Sequence, residues 1–278
     1  MPQARFIKYP GIPYIEAKPE ILKSPVYIFE KIDGGNCQIR NIGGRIIPGS
    51  RSNFLEGNRI IDRVHWFKDF VRWVGKYFSN YPSLNLDPNF IIYGEWLAFH
   101  NILYNQENMD RFYFIDLFDT EERRFIPYDQ ALEYLEMMGI EICQTPRRTS
   151  KNKVNILRIL KKGQVSMGEL EKLLNQESDY RESTKEGLVI KDYQNQEFVK
   201  ILHPEFSEKV ESTRNMSEYE RYVTQNRYRK TKNALIEEGK EPTLEAIISR
   251  IKADVKKGHK VSLKERDIIL QLKTLGLI

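Results

Sequence analysis

The sequence has few of the residues that bind zinc or form disulfide bonds. Two cysteines, Cys37 and Cys143, exclude a four-cysteine zinc site and argue against a disulfide framework. The histidines have no mutual spacing typical of a zinc site or a catalytic triad, and they are His65, His100, His203 and His259. The cysteine content predicts a reducing, intracellular setting in the cytoplasm.

Long hydrophobic runs, internal repeats and low-complexity tracts are also missing. The first twenty residues carry several charges among prolines, and the most apolar later window, 90–104, is interrupted by Glu95 and His100. We therefore expect neither a signal peptide nor a membrane span. The 278 residues, 40% of them hydrophobic, are enough for one large domain or a large and a small one.

Positive charge is concentrated at the C-terminal end. From Lys209 onwards, 16 Lys and Arg stand against 10 Asp and Glu, an excess of +6, whereas residues 1–208 carry −1. Clustered Lys and Arg bind phosphate backbones, so this tail is a candidate surface for an anionic partner. A solvated helical face is the alternative.

Hydrophobic periodicity predicts a strand-rich body with flanking helices and a helical tail. Strands are predicted over 26–29, 37–41, 45–47, 90–96, 112–118, 187–191 and 197–201. Helices are predicted over 60–78, near 128–138 and 167–175, and beyond 208. Trp66 and Trp73 are expected to pack in the core.

The charged residues of the body lie in or beside these strands. Lys31 follows the β-prone run Val26–Phe29 in "EKIDGGN", where Asp33 and two glycines form a turn. The turn could present a reactive amine or could be an ordinary hairpin. Further charged residues come at later strands, namely Arg51, Glu95, Asp116, Glu186, Lys191 and Lys200. So many charges beside apolar strands favour a shared site over separate ion pairs.

The order of these motifs resembles the covalent nucleotidyltransferases, the superfamily of polynucleotide ligases and mRNA-capping enzymes. More narrowly, "FIKYPGI", "EKIDGGN", "KILHPEFSEK" and "YVTQNR" are similar to stretches of the RNA ligase 2 family, phage-type enzymes that seal nicks in double-stranded RNA. The resemblance implies an α+β fold. An ATP-grasp-like nucleotidyltransferase domain of antiparallel sheets with flanking helices would span 1–208, and a small all-α RNA-binding domain 209–278.

The resemblance also implies an activity, namely an ATP-dependent RNA ligase. Lys31 would be adenylylated by ATP with release of pyrophosphate, AMP would pass to an RNA 5′-phosphate, and a 3′-hydroxyl would expel AMP. Lysine attacks a phosphate only when neutral, and nearby positive charge or desolvation favours that form. Mg²⁺ or Mn²⁺ is expected with ATP. The expected partner is nicked duplex or structured RNA, with no membrane and no obligate protein partner.

The resemblance assigns roles residue by residue. Catalytic roles fall on Lys31, Asp33, Glu95, Glu186, Lys191 and Lys200. Nucleotide contacts fall on Glu30, Lys31, Ile32, Asn36, Arg51, Glu95, Ile115, Lys191 and Lys200. Glu95 and Glu186 are the candidate metal ligands, and the glycines after Asp33 would let the backbone approach a ligand closely. Asp33 as a turn cap and Glu95 as a partner of an arginine remain alternatives.

The chain departs from the family pattern at two positions. Leu202 stands where the final strand usually has a second lysine, so one phosphate contact is missing or supplied elsewhere. Ile115 stands where the family tends to stack a phenylalanine on adenine; Tyr113 shares its strand face and Phe114 is adjacent. Asp33, where the narrower family often has histidine, is ordinary for the superfamily.

Three rival functions use the same body. They are a GTP-dependent capping guanylyltransferase, a DNA ligase with an oligonucleotide-binding barrel, and a non-catalytic nucleotide-regulated RNA-binding protein. A helical basic tail argues against the first two, because a barrel needs several β-rich segments. Leu202 is the best support for the third.

Overall fold

The computed structural model describes residues 5–55, 65–80, 84, 86–98, 102–144, 149–207 and 216–278 and has an α+β architecture. Its strands are β1 Val26–Lys31, β2 Gly35–Ile42, β3 Arg45–Ser50, β4 Phe90–Leu97, β5 Arg111–Asp119, β6 Arg124–Phe125, β7 Ile142–Gln144, β8 Val154–Ile156, β9 Ile159–Gly163, β10 Gly187–Asp192 and β11 Glu197–Leu202. Its helices are α1 His65–Asn80, α2 Tyr128–Met137, α3 Met167–Leu174, α4 Glu218–Tyr222, α5 Gln225–Glu237, α6 Leu244–His259 and α7 Glu265–Thr274.

The smaller sheet has four antiparallel strands in the order β11-β10-β1-β9. One of its faces is apolar, because alternate residues such as Ile28 and Ile190 point to the same side and pack with Leu170 and Leu174 of α3. Helix α3 begins at a Ser166 capping box, which satisfies its first backbone N–H groups. The opposite face carries Phe29 and Phe198, which are buried in the main core.

The larger sheet runs in the order β3-β2-β4-β5-β8-β7, and β6 pairs with β5. Strand β8 is parallel to both β5 and β7, so this sheet is mixed. Helix α1 packs against it through aromatic side chains, since Trp66 is buried in the main core and Trp73 stacks on Phe112. The packing role predicted for both tryptophans is confirmed.

The segment that follows Lys31 connects the two sheets. Lys31 is the last residue of β1 in the smaller sheet, and Gly35 is the first residue of β2 in the larger one. The two strands do not pair, so the hairpin alternative is wrong. The glycines here make room for protein rather than for a ligand: a Cβ on Gly34 would lie 2.4 Å from the Trp96 carbonyl oxygen, and one on Gly35 1.9 Å from the Trp66 ring.

The tail folds into helices α4 to α7, as the sequence predicted. These helices pack around an apolar cluster of their own, which includes Leu235, Ile251 and Ile268. Thr224 and Thr243 cap α5 and α6 by accepting hydrogen bonds from backbone N–H groups of the first turns. The expected domain boundary at 208 lies outside the described residues.

The predicted strands and helices of the body are present, with some changes at their ends. Helix α1 is described from residue 65, and residues 60–64 of the predicted helix lie outside the described residues. The short strands β6 to β9 were not predicted. Cys37 and Cys143 are free thiols, and no helix in the described part of the chain is long and apolar enough to cross a membrane.

Candidate active site

The register of the smaller sheet brings several of the candidate residues onto one face, the face opposite α3. Directly paired residues of antiparallel strands project from the same face. Three rows therefore share this face: Lys31–Gly187–Leu202, Phe29–Val189–Lys200 and Tyr27–Lys191–Phe198. We call this face the groove floor. Val189 lies half-buried on it, and strand alternation in "EGLVIKDY" would have identified it.

Lys31 lies at the end of the groove floor and is bonded to a buried carboxylate. Its Nζ donates to Glu186 Oε2 at 2.7 Å, and the Lys31 side chain is 21% exposed whereas that of Glu186 is fully buried. The other oxygen of Glu186 accepts from Lys230 Nζ at 2.8 Å. One buried carboxylate thus holds two ammonium groups, one from β1 and one from α5. Sequence reasoning assigned Lys230 only to the basic tail that would bind RNA. It did not place Lys230 at this site, because Lys230 lies 44 residues from Glu186 in a different part of the fold.

Glu95 holds the turn that follows Lys31. Its Oε1 accepts from the backbone N–H of Gly34 at 3.1 Å. Burial raises the pKa of Glu95 to about 7, and the positive charge of Lys31 opposes that rise. Asp33 is buried, and its backbone N–H donates to the Tyr104 hydroxyl at 2.6 Å. The Glu95 carboxylate of β4 therefore binds the backbone of this turn, close to Lys31.

Two further predicted residues carry buried polar atoms that no described residue satisfies. Asn36 Nδ2 donates to the Gly94 carbonyl at 3.3 Å, but its Oδ1 has no partner, and neither has Arg51 Nε. Buried polar groups are normally hydrogen-bonded, so such atoms indicate a ligand or ordered water. One acceptor and one donor of this kind fit the polar ribose and phosphate groups of a nucleotide.

Lys191 lies at the back of the groove floor in a buried ion pair. Its Nζ donates to Asp116 Oδ2 at 2.8 Å and to the Ile115 carbonyl at 3.0 Å, and its side chain is 2% exposed. The Asp116 carboxylate also accepts from the hydroxyls of Tyr9 and Tyr193. Burial lowers the pKa of Lys191, and Asp116 opposes that shift. In this conformation the Lys191 ammonium is bonded to Asp116. The predicted contact of Lys191 with a phosphate therefore stays a prediction.

Lys200 lies over an aromatic ring at the edge of the groove floor. Its Nζ is 4.6 Å from the centre of the Tyr14 ring, and Tyr14 in turn lies 5.0 Å from the His259 ring of α6. Leu202, two residues along the same strand, is buried opposite Gly187. The final strand thus brings one lysine and one leucine to the groove floor.

Glu30 is turned away from the groove floor. On the opposite face of the sheet its carboxylate accepts hydrogen bonds from the Ser178 hydroxyl and from the backbone N–H of Asp179. Burial raises the pKa of Glu30 to about 7, which these hydrogen bonds oppose. The prediction of a nucleotide contact by Glu30 can therefore hold only through its backbone.

The residues predicted to surround the base are apolar and differ in exposure. Ile32 is buried in the main core. Ile115 is half-buried, and it is the extra residue of a β-bulge, since Asp116 pairs with Tyr93 and Phe114 pairs with Gly94. Tyr113 is in the core, where it packs edge-on against Tyr180, which makes it unsuited to stacking on a base.

The two candidate metal ligands are carboxylates near Lys31. In the part of the chain that the structure describes, no three His, Cys, Asp or Glu side chains come together in a group that could hold a metal ion. Mg²⁺ characteristically takes one or two protein carboxylates and completes its shell with phosphate oxygens and water. Glu95 and Glu186 therefore fit a metal that arrives with a nucleotide and not a metal held by protein ligands alone.

A cavity of about 180 Å³ lies between the body and α5. Its walls include three acidic side chains of the body and two basic side chains of the tail. The lining residues are Asp33, Ile102, Glu186, Glu205, Phe206, Asn226, Arg229 and Lys230. Helix α5 therefore forms one wall of a cavity that also contains Asp33 and Glu186 of the candidate site.

Comparison with known proteins identifies the family and the fold. A family model described as RNA ligase matches residues 24–204. A solved structure of a Naegleria gruberi RNA ligase mutant with AMP and Mn has a TM-score of 0.52 at 14% identity, and covers 72% of this chain and 56% of that one. Two mutants of the same enzyme with ATP and Mn each have a TM-score of 0.50, at 13% and 15% identity, and cover 73% of this chain and 58% of the other.

The chain spans little more than half the length of these Naegleria structures. At such low identity the likeness concerns the fold. No curated protein matches the sequence.

Proposed function

The chain belongs to the RNA ligase family, and from this premise we propose that it is an ATP-dependent RNA ligase that joins 3′-hydroxyl and 5′-phosphate ends at nicks. The observation that supports the proposal most directly is Lys31, which ends β1 between the two sheets with its ammonium on the buried Glu186. A lysine held at the mouth of a polar groove is suited to react with a ligand rather than to pack.

In the first step Lys31 attacks the α-phosphate of ATP. A bond forms between its Nζ and phosphorus, and the bond to pyrophosphate breaks. Lys31, whose ammonium is held by Glu186 Oε2 at 2.7 Å, must first release a proton to solvent, because only the neutral amine is a nucleophile. Asn36 Oδ1 and Arg51 Nε, whose hydrogen bonds no described residue satisfies, would bind the ribose and phosphate groups.

In the later steps AMP passes to the 5′-phosphate of RNA, and a 3′-hydroxyl expels AMP as the phosphodiester forms. Residues 1–208 would carry the nucleotide chemistry. Residues 209–278, with their excess of +6, would bind the RNA backbone. Nicked duplex or structured RNA is the proposed substrate.

A divalent metal, Mg²⁺ or Mn²⁺, would be held by Glu95 and Glu186 and would neutralise charge on the phosphates during transfer. The Naegleria gruberi structures with ATP or AMP and Mn support this choice of nucleotide and metal. The charge of Glu95 depends on pH near neutrality, because burial raises its pKa to about 7. Metal binding at this carboxylate should therefore weaken as the pH falls below neutrality.

The test combines mass spectrometry with a sealing assay. The protein is incubated with ATP or GTP and a divalent metal, and then given a nicked duplex whose 3′-hydroxyl strand is RNA or DNA. We expect an AMP adduct on Lys31 and sealing of the RNA strand. A GMP adduct would indicate the capping reaction, sealing of DNA alone would indicate a DNA ligase, and no adduct would leave a non-catalytic RNA-binding protein.

A further inference from the structure

Helix α5 has two faces with different neighbours. Arg227, Thr231 and Leu235 are buried, and Leu235 belongs to the apolar cluster of the tail. Asn226 and Lys230, four residues apart, share another face and line the cavity beside the active site. One face of α5 thus holds the tail together while the other is turned to the nucleotide groove.

The start of α5 is fixed against the body. Thr224 caps it, with Oγ1 accepting from the Arg227 backbone N–H at 3.1 Å. Asn226 Nδ2 donates to the carbonyls of Glu205 at 3.4 Å and Ser207 at 3.3 Å, in the segment that follows β11. The Thr224 cap and the Asn226 hydrogen bonds fix the position of the first turn of α5. The side chain one turn later therefore has a defined position relative to the body.

That side chain is Lys230, and it reaches the carboxylate that also holds Lys31. The two ammonium groups bind the two oxygens of Glu186 at 2.7 and 2.8 Å. The Glu186 side chain is fully buried, while Lys230 is 24% exposed to the cavity. The cavity also contains the Arg229 side chain in its lining, so its α5 wall is positively charged.

The lysines of the groove floor are placed differently. Lys191 is bonded to Asp116, and Lys200 lies over the Tyr14 ring. In the row that contains Lys31, the position on the outer strand is the apolar Leu202. Positive charge next to Lys31 therefore comes from the tail through Lys230 and not from that strand.

We propose that Lys230 is a phosphate-binding residue of the active site, supplied by the C-terminal helices and acting beside Lys31. The proposal rests on the RNA ligase function proposed above and deepens it. Its ligand is a phosphate group of the substrate, from either ATP or the 5′ end of RNA. Arg229 lines the same wall and would complete the site with further donors.

The experiment uses the full-length protein and two arms that separate the sources of phosphate. The first arm measures the rate at which Lys31 is labelled by ATP. The second measures transfer of AMP from preformed adduct to the 5′-phosphate of a nicked RNA. We expect Lys230→Ala to lower the rate in at least one arm roughly 10- to 100-fold, the loss of one charge-assisted hydrogen bond. A slower first arm would identify the ligand as a phosphate of ATP, and a slower second arm would identify it as the 5′-phosphate of RNA.

The matched control is Lys172→Ala, an exposed lysine of the body in α3. It should stay within about twofold of the wild type in both arms. Lys230→Arg should retain most of the rate because it keeps the charge and a donor. Loss in Lys172→Ala equal to that in Lys230→Ala, or wild-type rates for Lys230→Ala in both arms, would overturn the proposal.

Two further measurements distinguish phosphate binding from a contact that only anchors the tail. The first is the double variant Lys230→Ala and Leu202→Lys. It returns an ammonium group to the row of Lys31 but does not restore the bond between α5 and Glu186. If Lys230 acts through its charge, this variant should recover part of the reaction rate that Lys230→Ala loses. Calorimetric affinity for inorganic pyrophosphate should fall about tenfold in Lys230→Ala, and unchanged affinity contradicts the site. Pyrophosphate binding needs no catalysis, so this measurement tests the phosphate site independently of the ligase proposal. Failure of the wild type to form an adduct would refute the ligase function and would leave the binding result valid.

Discussion

The body and the tail of this protein use charge in opposite ways. In the body, charged side chains are buried at the ends of strands and bonded to partners: Asp116 with Lys191 and two tyrosines, and Glu186 with two lysines. In the tail the buried cluster is apolar, and lysines such as Lys252 and Lys256 are exposed.

This difference has an energetic meaning. A charge taken out of water costs several kcal/mol unless it is paired and hydrogen-bonded, so groups of buried charges are maintained where their positions matter. Exposed lysines cost little and attract phosphate at long range without fixing it. This difference fits the proposed roles, in which the body carries the chemistry and the tail attracts the RNA backbone. Lys230 links them, because it is a tail lysine held on a buried carboxylate of the body.

The largest expected effect comes from the proposed nucleophile of the body, Lys31. Lys31→Ala should abolish the covalent nucleotide adduct while the fold is retained, because the side chain is 21% exposed and is not part of the core. Lys31→Arg should be equally inactive, since a guanidinium is not deprotonated in proteins. Mass spectrometry measures the adduct, and circular dichroism confirms the fold. An adduct in either variant would place the nucleophile elsewhere.

The next effect concerns the carboxylates beside Lys31. Glu95→Gln and Glu186→Gln keep the side-chain shape and remove the charge, and each should lower the rate of adenylylation by roughly 10²- to 10³-fold, a typical loss for one positioned electrostatic group. Glu171→Gln, an exposed residue of α3, is the matched control. If both variants are labelled at the wild-type rate, these carboxylates have no part in the nucleotide step.

Sequence reasoning located the strands and the charged residues that end them, and it anticipated a shared groove. It succeeded because alternation along a strand is a local property, and Lys31 and Lys191 need only their own segments to be placed. Antiparallel pairing then aligns them on one face. The short strands β6 to β9 have two to five residues each, too few for a periodic signal.

The parts that sequence reasoning missed depend on contacts between distant segments. Lys230 reaches Glu186 only because α5 is tied to the segment after β11, and Tyr9 and Tyr193 meet only at Asp116. The direction of Glu30 depends on the 178–179 segment that covers it. None of these contacts can be predicted from the spacing of residues along the sequence, because each depends on how distant segments pack together.

A third prediction tests the tail as an attractive surface. Lys252, Lys256 and Lys260 are exposed and follow one another at intervals of four, so they form a stripe along α6 and its C-terminal cap. Replacing all three with Gln should weaken binding of nicked RNA at low salt. It should also reduce the slope of log affinity against log salt by about 0.7 to 0.9 for each RNA phosphate that the variant no longer binds. Fluorescence anisotropy over a range of salt concentrations measures both.

The control for this stripe is the double variant Lys76→Gln and Lys172→Gln, which removes exposed lysines of the body. Its salt slope should equal that of the wild type. Equal slopes for the stripe variant and the wild type would assign RNA binding to another surface. A change in adenylylation in the stripe variant would mean that α6 also acts on the nucleotide step.

The smallest expected effect tests the cost of buried charge in the body. Burial raises the pKa of Glu30 to about 7 from its ordinary value of 4.5, so between these values the folded state holds a proton that the unfolded state has released. The free energy of unfolding should therefore fall as the pH rises from 4.5 to 7, by on the order of 1–3 kcal/mol from this group. Glu30→Gln cannot titrate and should show a flatter dependence. Urea unfolding at several pH values measures the difference between the two proteins. Glu95 titrates in the same pH range, but it is present in both proteins, so its contribution cancels in the comparison. Parallel curves of unfolding free energy against pH for the wild type and Glu30→Gln would contradict the prediction.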